Sequence, residues 1–276
     1  MNQSRLEQTI GHVILVIGAI TALYPFLSVL LLAISPQSER ITGFQIPTSP
    51  TFDNFVIAWT QGGFGQALLS SLIVAIFVVV LSLACSILGG YAFATMHFWG
   101  KGLLAAFLII GLVLPYEGLI IPLYFQLNDI GLINTYWALI LPQIATSVSL
   151  GVFWMRTVYA NVPASLLDAA MIDGASRRVA LLRVYLPISW PAVGTLATLL
   201  FLFTWNEFLM PLVLVPQNTE VQTAPLALSF FAGATRNFNA SVTAAAAVIV
   251  ALPILVLYVF LQRRFISGIA AGAVKE

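Results

Sequence analysis

Few side chains in this 276-residue chain could do chemistry, and fewer are spaced to do it together. Glu117 and Glu207 are the two formal charges inside long apolar runs, where an acid pair could in principle form. Nothing else in the chain supports hydrolysis by such a pair. The histidines, His12 and His97, lie far apart in sequence, and no H-E-x-x-H zinc motif is present. A nucleotide-binding loop needs G-x-x-x-x-G-K-[ST]; the only lysines occur in W-G-K-G-L (Lys101) and V-K-E (Lys275), and neither fits. Cys85 stands alone in an apolar run, so it has no disulfide partner in the chain, forms no cysteine metal cluster, and reads as a packing residue. The expectation is a protein that is not an enzyme, with no metal and no cofactor of its own. One polar stretch is left unexplained. LLDAAMIDGASRRVALLRVYLPISWP, residues 166–191, gathers Asp168, Asp173, Arg177, Arg178 and Arg183 within 16 residues.

The rest of the chain says what must position these groups. It is 60% hydrophobic and 8% charged, with a mean hydropathy of +1.00. Soluble domains carry about 25% charged residues, so this composition describes an integral membrane protein. A spanning helix takes about 20 mostly apolar residues. Six windows qualify, at 12–35, 67–95, 102–125, 134–155, 189–214 and 241–262, giving an all-α fold of six transmembrane helices in a single permease-type domain over 1–276. The first window is too long for a signal-peptide core and lacks a small-x-small cleavage site, so a removable leader is not expected.

Lysine and arginine set the direction. With both termini in the cytoplasm, Arg5, Lys101, Arg156, Arg177, Arg178, Arg183, Arg263, Arg264 and Lys275 fall inside, and only Arg40 and Arg236 fall outside. Segment 156–188 is then the longest cytoplasmic excursion. The net charge of +1 gives no general attraction to nucleic acid.

Within that excursion, Asn161 or Ser165 offers a helix cap, with Pro163 in the first turn and Asp168 toward the positive end of the helix dipole. Gly174 supplies a residue able to leave helical geometry, and a second helical piece runs from Ser176 to before Pro187. Two readings stand on these residues alone. Small Ala169 and Ala170 beside larger Leu167 and Met171 suit docking into a groove on a soluble partner, and the same helix with its arginines also suits anionic lipid headgroups.

The run D-A-A-x-x-D-G-A followed by V-Y-L-P resembles the EAA motif of permease subunits of binding-protein-dependent ABC importers. So do P-Y-E-G-L-I-I-P-L-Y-F-Q-L-N-D-I-G-L-I-N-T-Y-W-A-L-I-L-P at 115–142, W-N-E-F-L-M-P-L at 205–212 and the tail from Q-R-R-F, which resemble the carbohydrate-uptake, maltose-type branch. The match covers most of residues 11–276. The resemblance implies a type I importer permease fold and a coupling helix that seats in a cleft of an ATP-binding subunit. It assigns that role to Asp168, Ala169, Ala170, Met171, Asp173, Gly174 and Pro187, with Asp168 standing where the motif has Glu. It further implies a second homologous permease subunit, two ATP-binding subunits that hold ATP and Mg, a solute-binding protein docked on the outer loops 36–66 and 215–240, and a bacterial or archaeal cytoplasmic membrane. By resemblance, the tail after Arg263 reaches the ATP-binding subunits.

For the solute path the candidates are Glu117, Gln143, Ser147, Trp205, Asn206 and Glu207, since sugars are held by amide and carboxylate hydrogen bonds with an aromatic ring over one face. Buried amides and hydroxyls also serve simply to join helices, so both roles stay open. Pro115, Pro122, Pro142, Pro191 and Pro211 interrupt the spans, which neighbouring helices can accommodate. The alternatives are a permease for a glycerol-3-phosphate-type polyol, against which the lack of arginine on the outer halves of the spans argues, and a self-contained secondary transporter or channel, which predicts an internal repeat that the sequence does not show.

Overall fold

The computed structural model describes the backbone of residues 5–39, 44–234 and 240–273, and the side chains of 8–39, 44–233 and 240–259. Arg40, Arg236 and Lys275 lie outside the described residues, as do the side chains of Arg5, Arg263 and Arg264 in the expected charge asymmetry and tail. Among the described residues the regular secondary structure is all helical, with no strand. In order it forms α1 (Arg5–Ala33), α2 (Asp53–Gly62), α3 (Phe64–Thr95), α4 (Lys101–Val113), α5 (Tyr116–Asp129), α6 (Tyr136–Ala160), α7 (Ala164–Ile172) and α8 (Arg177–Ala180). A π-turn (Leu181–Tyr185) leads into α9 (Leu186–Asn206), followed by α10 (Leu209–Leu214), α11 (Ala224–Ala234) and α12 (Ala240–Ala273).

Five helical stretches are long and apolar enough to cross a membrane: 8–33, 64–95, 136–160, 177–206 and 240–259. The expected third span is not one straight helix. It breaks into α4 and α5, bent by 102°, and counts as a sixth span only if the bent pair is taken as one. The cause is Pro115. A residue before proline is pushed out of the α region, and Leu114 sits at φ −68°, ψ 123°, ending α4 one residue earlier.

The fifth span also departs from expectation. It begins at Arg177 rather than 189, because α8, the π-turn and α9 are one uninterrupted helical run. Pro187 was expected to end a separate piece, but it lies in the first turn of α9, where a missing N–H is tolerated. The Leu186 N–H reaches back five residues to the Leu181 carbonyl. Pro187 has no N–H to offer the turn before it, and a local π-turn is one of the ways a helix absorbs such a loss. The span ends at Asn206, eight residues short of 214, with a break before α10.

The chain divides into two compact units. The first comprises residues 1–65 and 227–253, the second 66–226 and 254–276. In the first, Asn54 is fully buried and its Nδ2 donates to the carbonyls of Ala33 (2.9 Å) and Ser35 (2.7 Å), tying α2 to the end of α1. Phe64 meets Phe231 edge-on, with centroids 5.5 Å apart. Along α1 no residue from 8 to 32 is buried, so the apolar side chains there are left to lipid or to another chain.

In the second unit, two apolar clusters mark the two ends of the bundle. One gathers Val74, Val78, Leu139, Ile140, Met210 and Leu214 from α3, α6 and α10. The other gathers Tyr91, Met155, Tyr159, Leu181, Tyr185 and Leu196 from α3, α6, the π-turn and α9. Tyr91, Tyr159 and Tyr185 meet edge-on, pair by pair, with centroids 5.2–6.0 Å apart. Between the clusters α6 runs close to its neighbours at Gly151. A β-carbon there would collide with the Ser86 hydroxyl on α3 and lie 3.6 Å from Leu196 on α9. Small residues permit such approach in membrane bundles.

Candidate functional site

The two helix breaks meet. Tyr116 opens α5 just past the first bend, and its hydroxyl donates to Glu207 Oε2 over 3.0 Å. Glu207 ends α9 in extended geometry (φ −65°, ψ 124°), and its Oε1 accepts the Met210 N–H at 3.0 Å, capping the short α10. One carboxylate therefore holds three helix ends. A carboxylate has lone-pair sites beyond these two bonds, so the role leaves it able to accept more.

Beside this junction lies a cavity of about 550 Å³. Its lining includes Gln143, Thr146 and Ser147 from α6, Thr204 and Asn206 from α9, then Glu207, with Gly111 and Leu112 of α4, Tyr116 and Phe203. Four of the six residues expected on a solute path are thus brought together: Gln143, Ser147, Asn206 and Glu207. Asn206 donates its Nδ2 to the Leu202 carbonyl at 2.8 Å, which leaves its side-chain oxygen as an acceptor. Thr146 turns its hydroxyl back onto the Gln143 carbonyl at 3.1 Å.

The other two candidates lie elsewhere. Trp205 is buried, stacks on Phe201 with centroids 5.3 Å apart, and does not line the cavity. Glu117 is exposed in the first turn of α5 and does not line the cavity. Tyr116, marked in the sequence only by its place after Pro115, joins the junction, whereas its charged neighbour Glu117 does not. The cavity lining carries one carboxylate and neither lysine nor arginine.

At the opposite end of the second unit, α7 projects from the bundle. Asn161 does not cap its start. It ends α6, donating Nδ2 to the Thr157 carbonyl at 3.0 Å, and Pro163 precedes α7 instead. The end of α7 follows expectation. Gly174 has φ +81°, its N–H bonds the Met171 carbonyl (3.1 Å), and the Ala175 N–H bonds the Ala170 carbonyl (2.9 Å). This paired closure is the Schellman motif, which needs a left-handed residue at the glycine. Ser176 then accepts from the Val179 N–H at 3.4 Å to start α8.

No residue of α7 is buried. Leu167 packs against the tyrosine cluster, while Asp168, Ala169, Met171, Asp173 and Gly174 are exposed and Ile172 is 86% exposed. Ile172, absent from the expected coupling set, presents the largest apolar surface on the helix. Arg177, Arg178 and Arg183 are exposed beside it.

Broken transmembrane helices, a polar cavity at the breaks and a short helix standing off the other end describe a transport subunit. The fold agrees with one. A chain of a bacterial ABC transporter that imports the acidic polysaccharide alginate superposes with a TM-score of 0.77, covering 96% of this chain and 99% of that one at 23% identity. Residues 86–270 match the family described as the binding-protein-dependent transport system inner membrane component, and the chain belongs to it. It is 35% identical to the arabinooligosaccharides transport system permease protein of Halalkalibacterium halodurans over 93% of this chain and 92% of that protein. It is 32% identical to the trehalose transport system permease protein of Mycobacterium tuberculosis, covering 92% and 93%. The chain is accordingly a multi-pass permease of an ABC importer, and ATP hydrolysis belongs to a separate subunit.

Proposed function

We propose that this permease carries a neutral carbohydrate, forming half of the path beside a second, homologous permease, in a bacterial or archaeal cytoplasmic membrane with both termini inside. The cavity at the two helix breaks carries this reading, because it collects Gln143, Ser147, Asn206 and Glu207 on one surface without a lysine or arginine. Amide, hydroxyl and carboxylate groups suit a hydroxylated solute, whereas a phosphate would call for arginine or lysine. The relatives named for arabinooligosaccharides and trehalose point the same way.

In this reading α7 is the coupling helix. Asp168, Ala169, Ala170, Met171, Asp173 and Gly174, with Pro187 in the first turn of α9, meet the ATP-binding subunits, two of which dock below while a solute-binding protein docks on the outer loops. Leu167 anchors α7 to the tyrosine cluster, so displacement of α7 by a closing ATPase pair pulls on α3, α6 and α9 together. All of the residues that form the candidate path lie in the same compact unit as α7. The test is uptake by the assembled transporter in vesicles, with its binding protein loaded from a panel of labelled sugars. Asn206→Leu should lower uptake of the accepted sugar at least tenfold with assembly intact. Unchanged uptake removes Asn206 from the path, and a panel in which only charged solutes are taken up defeats the carbohydrate assignment.

A further inference from the structure

The segment between α10 and α11 is held by side chains that belong to other elements. The Glu220 carbonyl accepts from the Gln66 amide (2.7 Å) and the Ser70 hydroxyl (2.7 Å), both in α3, and from the Tyr136 hydroxyl (3.1 Å) at the head of α6. Three donors thus converge on one backbone oxygen. Beyond it, the Ala224 N–H donates to Ser71 Oγ at 2.8 Å. The near end of the segment is tied to Asn134, just ahead of α6. Its N–H donates to the Leu214 carbonyl (3.0 Å), its Oδ1 accepts the Gln217 N–H (3.2 Å), and its carbonyl accepts from Asn218 Nδ2 (3.0 Å). Asn134 makes these bonds at φ +62°, the one left-handed non-glycine residue among the described residues.

Water can satisfy the backbone of a surface loop. Here the buried Ser70 and Ser71 and the residues at the head of α6 are committed to it instead, which fixes the shape of 214–224 before anything binds. At the tip Pro216, Gln217, Thr219 and Glu220 are exposed. The tip carries one carboxylate, no aromatic ring and no cation. It therefore suits the face of a soluble protein, whereas a membrane surface calls for Trp, Tyr, Lys or Arg. A loop already in its bound shape loses little conformational freedom on docking. Segment 214–224 also lies in the same compact unit as the cavity and α7.

We infer that Asn134 and Tyr136 are positioning residues, which hold segment 214–224 in the shape that meets the solute-binding protein. The inference rests on the docking reading above and adds to it which stretch of the outer loops is preformed and which side chains form it. These residues act by sparing the loop the cost of ordering. Their loss therefore weakens docking and leaves the docked transporter at its normal rate.

The test titrates the complete transporter, in nanodiscs, with its solute-binding protein loaded from the same sugar panel, and follows ATP hydrolysis. Tyr136→Phe and Asn134→Gly should each raise the half-saturating concentration of binding protein at least threefold, and together about tenfold, with the saturated rate within about twofold of the parent. Asn134→Asp keeps an acceptor for the Gln217 N–H and tolerates left-handed geometry, so its half-saturation should stay within about twofold of the parent. Where the double variant fails to assemble, Ser70→Ala should give the threefold rise by itself. A bulky maleimide on Thr219→Cys, in a Cys85→Ser background, should raise half-saturation at least tenfold. A half-saturation that none of these substitutions moves, or a loss confined to the saturated rate, overturns the inference and leaves the importer reading intact. A parent transporter that its binding protein does not stimulate at any concentration removes the docking reading, and the inference with it.

Discussion

Tyr116 and Glu207 lie 91 positions apart, yet the tyrosine hydroxyl is 3.0 Å from the glutamate Oε2. Each residue sits at the break of a helix, so this one bond fixes α5 to the junction of α9 and α10. Hydrogen bonds between membrane helices contribute about 0.5–2 kcal/mol. Tyr116→Phe should cost an amount in that range. Glu207→Leu should cost about 1–2 kcal/mol more, since it also strips the cap from the Met210 N–H. A double-mutant cycle on thermal unfolding in detergent measures the coupling. A coupling energy of zero would show that the two breaks are held independently.

Gly174 is held at φ +81°, a conformation that costs other L-residues about 1–2 kcal/mol. Gly174→Val should therefore loosen the closure at Ala170 and Met171 and raise hydrogen exchange across 164–175. Gly174→Asn, which tolerates left-handed geometry, should preserve most of it. If α7 is the coupling helix, uptake should fall in the same order while membrane insertion stays unchanged, and charge reversal of Asp168 in the Gly174→Val background should deepen the loss. Equal uptake by all three chains would separate the helix from coupling.

What could be read in advance follows from how local each signal is. Apolar run length finds spans without any tertiary information, so five of the six windows reappear as long helices. The stop at Gly174 is encoded in one residue and its neighbours. The bend at Pro115 was visible only as a proline, and whether a membrane proline kinks a span or divides it by 102° depends on which neighbours take up the freed groups. Pro142, Pro191 and Pro253 sit inside continuous helices. The cavity was legible in its polar members and illegible in its geometry. Gln143 and Ser147 share a helix face by spacing, but nothing in W-N-E distinguishes Trp205, which turns to Phe201, from Asn206, which lines the cavity. Asn161 shows the limit of cap residues: it sits between two helices and closes the first rather than opening the second.

Ile172 exposes 86% of its surface on a helix with no buried residue. Full burial of such a side chain contributes about 1.5–3 kcal/mol, and each 1.4 kcal/mol is about tenfold in affinity. Ile172→Asp should weaken assembly with the ATP-binding subunits by about ten- to a hundredfold, read by titrating those subunits onto the permease pair in nanodiscs. The same substitution should leave the unfolding temperature of the permease itself nearly unchanged, because most of the side chain is already exposed. Unaltered affinity would mean that the apolar tip of α7 rests on lipid instead.

At Gly151 the limit is steric. A methyl group there would occupy the position of the Ser86 hydroxyl, with Leu196 close behind. Overpacking a tight contact costs about 1–3 kcal/mol. Gly151→Ala should therefore destabilise the chain by that amount, and Ser86→Gly should recover more than half of it by vacating the colliding side chain. Ser86→Gly alone should cost less than 1 kcal/mol, the removed hydroxyl having bonded only the Ser82 carbonyl on its own helix. If the spacing between α3 and α6 takes part in passage, Gly151→Ala should slow uptake more than its loss of stability accounts for, and the Ser86→Gly pairing should restore both. Recovery of stability without recovery of uptake would show that the spacing between α3 and α6 supports the fold and takes no part in passage.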